Sequence, residues 1–109
     1  MDVKRAVDAL GALAQESRLA VFRLLVRRGP AGLPAGEISE RVRVPPTTLS
    51  FHLAHLSRAG LVSSRREGRS ILYAASYPGM QELMAFLLDN CCQDDGGCAP
   101  PEAKRGRRR

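Results

Sequence analysis

The chain has 109 residues, of which 44% are hydrophobic, and its formal net charge is +6. This length and apolar content suit one globular domain, and an odd count of three cysteines makes a structural framework of paired disulfides unexpected. Seventeen Lys and Arg against eleven Asp and Glu favour a polyanionic partner, nucleic acid before membrane.

The sequence contains no apolar run long enough to act as a signal peptide or to cross a bilayer. Residues 1–15 carry four charged side chains, and the later apolar run that includes residues 84–88 is far too short to span a bilayer. We therefore expect a soluble, cytoplasmic protein with no membrane partner, whose thiols stay reduced. In that compartment, the cysteines Cys91, Cys92 and Cys98 are expected to be ligands or redox centres.

Apolar residues at helical spacing predict three helices before residue 43. The first helix places four apolar residues on one face, Val3, Val7, Leu10 and Ala14. The second ends at Gly29-Pro30, after two arginines that suit the negative end of the helix dipole. Its expected inward face is Leu19, Phe22, Leu25 and Val26. The third helix spans residues 35–42, follows a loop "PAGLP", and turns Ile38 and Val42 inward.

The segment "RVPPTTLSFHLAHLSRAGLV" predicts a tight break followed by a fourth helix. The residue before each proline is extended, and Pro46 has the fixed φ that suits the first helical position. Leu49, Leu53 and Leu56 share one face, and Gly60 ends the helix. A short helix, a tight turn and a second helix with a small polar N-terminal face are typical of a helix-turn-helix, whose second helix enters the DNA major groove.

The stretch after this helix predicts a β-hairpin and a last helix. Alternating residues surround "REGR", and Glu67-Gly68 suits a two-residue turn. This basic loop is expected to lie along phosphates. The last helix opens at Pro78-Gly79 and carries a stripe formed by Met80, Met84, Leu87 and Cys91. We expect one domain over residues 1–98 and a disordered basic tail over residues 99–109.

The order of these elements, with "LGALAQESRLAVFRLL" and "LSFHLAHLSRAGLV", resembles the ArsR/SmtB family of winged-helix metalloregulatory repressors. The resemblance covers about residues 8–76. It implies a mainly α fold with a small β-hairpin, a winged helix-turn-helix that dimerises through its first and last helices. Members of this family are homodimers that release double-stranded operator DNA when a metal or metalloid binds.

Two metal-binding motifs of the family are missing from this chain. Its Cys-x-Cys arsenic motif would fall about where Pro34 and Gly36 stand, and residues 80–90 contain no histidine for the last-helix zinc site. The Cys-Cys pair Cys91-Cys92 with Cys98 downstream instead resembles arsenic sites that some members build after the last helix. The resemblance therefore implies trivalent arsenic (arsenite) or antimony as the inducer.

Three soft thiolates also leave other interpretations open. Zinc or cadmium could use them with an oxygen from Asp94 or Asp95, the thiols could form a redox switch, or they could be incidental. The negative charges of the neighbouring carboxylates disfavour a reactive thiolate, which argues against a peroxide sensor. His52 and His55 are more simply explained by DNA contact than by metal ligation.

The sequence therefore predicts an arsenite- or antimonite-responsive repressor. It contains no nucleophile–base pair, phosphate loop or paired carboxylates in a recognisable setting, so an enzyme is not expected. The expected DNA contacts lie on the fourth helix and the hairpin loop. They are Thr47, Thr48, Ser50, Phe51, His52, His55, Arg58, Arg65, Arg66 and Arg69.

Overall fold

The computed structural model describes residues 1–95, which fold into five α-helices and a three-stranded sheet. The helices are α1 (Val3–Leu13), α2 (Glu16–Arg28), α3 (Ala35–Val42), α4 (Pro46–Arg58) and α5 (Tyr77–Leu88). The strands are β1 (Leu33–Pro34), β2 (Val62–Glu67) and β3 (Ser70–Ala75), and a 3-10 turn, Gln93–Asp95, follows α5. The predicted fold, mainly α with a hairpin wing, is confirmed. The predicted tail, residues 99–109, lies outside the described residues.

Local side-chain and backbone chemistry fixes where the helices begin. Asp2 caps α1 by accepting a hydrogen bond from the Arg5 N–H at 2.8 Å, and Gln15 caps α2 in the same way. Ser76 accepts the Gly79 N–H at 3.2 Å at the start of α5. Pro46 occupies the first turn of α4, as predicted, because its missing N–H would have no helical partner there.

The sheet is antiparallel, in the order β1, β3, β2. The predicted hairpin is present, but its turn is Gly68-Arg69, one residue later than expected, because Glu67 pairs with Ser70. Gly68 has a φ of 62°, which suits glycine. Strand β1 was not predicted, since two residues, one of them a proline, give no alternating pattern.

The core lies between the helices and the inner side of the sheet. Leu49, Leu53 and Leu56 are all buried, so the predicted inward stripe of α4 is confirmed. Ile38 of α3 is also fully buried. In α2 the prediction was partly wrong, because Leu19 is 42% exposed. The buried face of α2 is Val21, Phe22, Leu24 and Leu25.

Helix α1 turns its small residues inward and its large ones outward. Ala6, Ala9 and Ala12 are buried, which lets α1 pack closely against its neighbours. On α5, Leu83 faces the core. Besides Tyr77, whose hydroxyl is hydrogen-bonded, the large apolar side chains that α1 and α5 leave exposed are Val3, Val7, Leu10, Met84, Leu87 and Leu88. We call these six residues the α1–α5 apolar surface.

Candidate nucleic-acid interface and cysteine cluster

The turn between α3 and α4 is fixed by backbone and hydroxyl hydrogen bonds. Arg43 ends α3 in the left-handed conformation, with φ at 58°. The Val44 N–H donates to the Ser39 carbonyl at 3.2 Å, and the Ser39 hydroxyl donates to the Val44 carbonyl. These bonds fix where the chain leaves α3, and the two prolines then start α4. The two helices therefore have the arrangement that presents a recognition helix.

Helix α4 exposes most of the side chains that we predicted to contact DNA. Thr47, Thr48, Ser50, Phe51 and Arg58 are exposed, and Phe51 is 76% exposed although it is aromatic. The Ser50 hydroxyl donates back to the Pro46 carbonyl at 3.2 Å, so its proton is used within the helix. The other two predicted contacts, His52 and His55, are half-buried.

Arg18 joins the end of α1 to the recognition helix. Its Nε donates to the Ala12 carbonyl at 2.7 Å, and its Nη2 to the Gly11 carbonyl at 3.4 Å. Its Nη1 lies 3.5 Å from Nδ1 of His52, which must accept because a guanidinium can only donate. Burial lowers the pKa of His52, and the charges of Arg18 and His55 lower it further. His52 is therefore neutral at pH 7.

Arg18 was not singled out from the sequence. Two of its three partners are backbone carbonyls, and carbonyls leave no trace in a sequence pattern. Only the break between α1 and α2 could have indicated it, because a helix end always leaves carbonyls that need donors.

The three predicted wing arginines have different surroundings. Arg65 donates to the carbonyls of Pro30 and Ala31, each at 2.9 Å, and to Glu67 at 3.1 Å. These bonds use three of the five guanidinium N–H donors and brace the wing against the loop before β1. Arg66 and Arg69 are exposed near the hairpin tip, so they are the better placed of the three to contact phosphates.

The start of α5 is in direct contact with the turn that follows the recognition helix. The Ser76 N–H donates to the Leu61 carbonyl at 2.8 Å. A Cβ built on Gly79 would overlap the Gly60 carbonyl oxygen, so the two backbones approach as closely as only glycine allows. The Tyr77 hydroxyl adds a bond to the Val26 carbonyl at 3.2 Å. We call the contact between Gly60 and Gly79 the glycine junction.

The cysteine pair follows the other end of α5. The helix stops at Leu88, and the Cys91 N–H donates to the Leu88 carbonyl at 3.0 Å. Asn90 and Cys92 both have a φ of 61°, which turns the chain sharply. The Sγ atoms of Cys91 and Cys92 consequently lie 3.5 Å apart.

The two cysteines are not in the same chemical state. Cys91 is free, whereas Cys92 is disulfide-bonded. Our expectation that every thiol stays reduced is therefore wrong for Cys92, because compartment and cysteine count do not determine how close two sulfurs come. Cys98, the third predicted ligand, lies outside the described residues.

Residues 1–95 contain neither a preformed metal cluster nor a membrane span. No group of three or more His, Cys, Asp or Glu side chains in this part of the chain is arranged to hold a metal ion. Within the same residues, no helix is both long enough and apolar enough to span a membrane.

The fold and the exposed face of α4 define a winged helix-turn-helix protein of the DNA-binding class. A family model described as a helix-turn-helix domain matches residues 13–65. The transcriptional activator HlyU of Vibrio cholerae is 35% identical over 89 residues, which cover 82% of this chain and 80% of that protein. The nodulation protein NolR of Rhizobium meliloti is 31% identical over 81% of this chain and 70% of its own length.

Solved structures show the same relationship. An ArsR-like transcriptional regulator from Rhodococcus sp. RHA1 superposes with a TM-score of 0.75 at 26% identity, covering 85% of both chains. HlyU from Vibrio cholerae gives 0.65 at 34% identity, covering 85% of this chain and all of that one. The chain therefore belongs to the ArsR/HlyU family of winged-helix transcriptional regulators.

Proposed function

We propose that the protein is a homodimeric repressor that binds operator DNA through α4 and the wing and leaves it when trivalent arsenic or antimony binds. The inducer site consists of Cys91, Cys92 and Cys98. The observation that carries this proposal is the 3.5 Å separation of the Cys91 and Cys92 Sγ atoms at the end of α5.

That separation is compatible with two sulfurs on one soft ion. Two thiolates that each lie about 2.3 Å from a shared ion can be no more than about 4.6 Å apart. Arsenite and antimonite form three bonds in a pyramid, so a third sulfur completes the site without a fourth ligand. In the protein with all three cysteines reduced, each thiol displaces one hydroxyl of arsenite: an As–S bond forms, an As–O bond breaks, and the thiol proton leaves with the hydroxyl as water.

The α1–α5 apolar surface supports the dimer. Six large apolar side chains that belong to two neighbouring helices remain outside the core of a single chain. A second copy that packs its own α1 and α5 against them would remove this surface from water, and would place two recognition helices on one side of the assembly.

The contacts of α5 give the inducer site a route to the DNA-binding helix. The cysteines follow the C-terminal end of α5, and its N-terminal end meets the end of α4 at the glycine junction. Under this proposal, a displacement of α5 along its axis reaches α4 through the turn that contains Gly60. A coupling that weakens operator binding about 5- to 150-fold is sufficient for induction, and operator DNA must weaken arsenite binding by the same factor.

Serine substitutions test the site. Cys91→Ser, Cys92→Ser and Cys98→Ser should each retain dimerisation and operator binding but lose most of the response to arsenite, because serine is a poor ligand for soft ions. The measurement is fluorescence anisotropy of the labelled upstream DNA under reducing conditions, together with arsenic bound per chain. Gln93→Ser, an exposed position in the same turn, is the control and should respond as wild type does.

The individual variants distinguish three ligands from two. Release of DNA by Cys98→Ser at the wild-type arsenite concentration would contradict the three-sulfur site. It would leave a two-sulfur site at Cys91 and Cys92, better matched to a methylated arsenical with two free valences. Zinc and cadmium titrations in the same assay test the other soft metals.

A second candidate function is thiol-based redox regulation of the same DNA binding. It is favoured by the disulfide at Cys92, which stands next to the free thiol of Cys91. Under this alternative a thiol oxidant should release the DNA with no metalloid present, and arsenite added under reducing conditions should not. The reverse pattern supports the metalloid site.

A further inference from the structure

Apart from Arg58 at its C-terminal end, helix α4 lacks the side chains that most often read bases by paired hydrogen bonds. Arginine and lysine bind guanine in this way, and asparagine and glutamine bind adenine. Residues 47–57 contain none of these four residue types. Sequence recognition by this part of the helix must therefore use other contacts.

The exposed side chains of α4 form an apolar stripe instead. Thr47, Phe51 and Ala54 are all exposed and are separated by four and then three positions, so they follow one another along one helix face. They present a threonine methyl, a phenyl ring and an alanine methyl. We call these three residues the methyl stripe.

The surroundings of Phe51 favour DNA over a protein partner. Its ring is 76% exposed, but its neighbours on the same helix face are the small or polar residues Thr47, Thr48, Ala54 and His55. A single exposed ring among small and polar side chains is not the large apolar patch that marks a protein interface, and the six exposed large apolar side chains of α1 and α5 are better suited to that role. The N-terminal half of the second helix is also where a helix-turn-helix meets base edges.

The major groove offers one apolar group, the C5 methyl of thymine, and alanine, threonine methyl and phenylalanine are the contacts that suit it. We propose that the methyl stripe, with Phe51 at its centre, determines operator specificity by packing against thymine methyl groups. The inference rests on the proposed binding of operator DNA through α4. It does not depend on which ligand the cysteines bind.

Replacing thymine by uracil isolates this contact. Uracil keeps every hydrogen-bonding group of thymine and lacks only the methyl. Removal of one buried methyl corresponds to about a fourfold decrease in affinity. A contact made through hydrogen bonds to the same base would not change.

The experiment starts from a duplex selected from a random pool for tight binding to the wild-type dimer. Each thymine is replaced by uracil in turn, and binding is measured for wild type, Phe51→Ala and Phe51→Leu. We expect the affinity of wild type to fall about fourfold at one or two thymines of each half-site. Phe51→Ala should bind the thymine duplex more weakly and be insensitive to uracil at those positions, while Phe51→Leu should keep part of the sensitivity.

Two controls and two outcomes make the test decisive. Ser57→Ala, exposed on the same helix outside the methyl stripe, should keep the wild-type sensitivity, and the melting temperature of each variant checks folding. Tight binding by wild type with no sensitivity to uracil, or equal sensitivity in Phe51→Ala, would overturn the inference alone. Failure of wild type to bind any duplex would overturn the proposed function as well.

Discussion

The two exposed sides of this small domain differ in the chemistry that they leave in water. The α1–α5 apolar surface contains large aliphatic side chains such as Val3, which is 67% exposed. The side formed by α4 and the wing exposes threonine, serine and arginine side chains. Phe51 is the one aromatic ring of phenylalanine or tyrosine in α4. The first side suits a second copy of the chain, and the second suits a hydrated polyanion. Under the proposed function, self-association and DNA contact thus use chemically different surfaces of one chain.

The largest expected effect comes from placing charge on the α1–α5 apolar surface. Val7→Glu combined with Leu87→Glu should give a folded monomer, because both side chains are exposed in the single chain and contribute little to its core. DNA affinity should fall by about 100-fold or more, since two linked half-site contacts become one. Sedimentation and DNA titration measure the two changes.

The conservative change Leu87→Met is the matched control for this prediction. It keeps the position apolar and should leave both the dimer and the DNA affinity close to wild type. A dimer that survives the two glutamates would show that α1 and α5 do not form the interface.

A smaller effect is expected at the wing. Arg66→Ala with Arg69→Ala should weaken binding to all sequences alike. The salt dependence of log K should become shallower by about one unit for each phosphate that the wing no longer binds. DNA titrations at several salt concentrations measure the slope, and an unchanged slope would place the wing away from DNA.

Arg65→Ala is the informative comparison within the wing. Because Arg65 is bonded to the carbonyls of Pro30 and Ala31, its removal should lower the free energy of unfolding by about 1 kcal/mol. Its effect on the salt slope should be smaller than that of the Arg66 and Arg69 pair. Denaturant unfolding of the free protein separates this stability change from DNA binding.

The smallest effect concerns His52, beneath the DNA-binding side. Burial is the main cause of its lowered pKa and Arg18 the second, so Arg18→Ala should raise the pKa only part of the way to 6.5. Because the pKa of His52 is lower in the folded chain, the unfolded chain binds a proton at this imidazole more readily. The contribution of neutral His52 to the free energy of unfolding is therefore complete above pH 6.5, and it declines as the pH falls from 6.5 towards the pKa of the folded state. NMR titration of the imidazole measures the effect of Arg18→Ala on the pKa of His52, and an unchanged pKa would contradict the prediction.

Features set by local chemistry were predictable from the sequence. The leucine spacing in α4, Pro46 at its start and the alternating residues of the wing each report a preference of nearby residues, and all three are confirmed. The apolar face of α1 was visible too. That this face points outward, with alanines inward, was not visible, because both stripes have helical spacing and only the packing of α1 on α2 decides between them.

Features that depend on distant backbone were not predictable. The bonds of Arg18 and Arg65 end on carbonyls, and the role of Gly79 depends on the position of Gly60, which is nineteen residues earlier. The state of Cys92 likewise depends on how the chain folds after α5. For the candidate site, the sequence could indicate which residue types are available. It could not indicate which arginine braces the wing and which remains exposed to bind phosphate.

The glycine junction has a consequence for how the family could acquire new inducers. The contact between Gly60 and Gly79 joins main chain to main chain. It therefore depends on the position of α5 and not on the side chains farther along that helix. A different ligand-binding segment joined after Leu88 would therefore act on the same DNA-reading unit, provided that it displaces α5. Under the proposed function, the ligand-binding segment can then be exchanged while the DNA-binding unit is kept, provided that Gly79 stays unchanged.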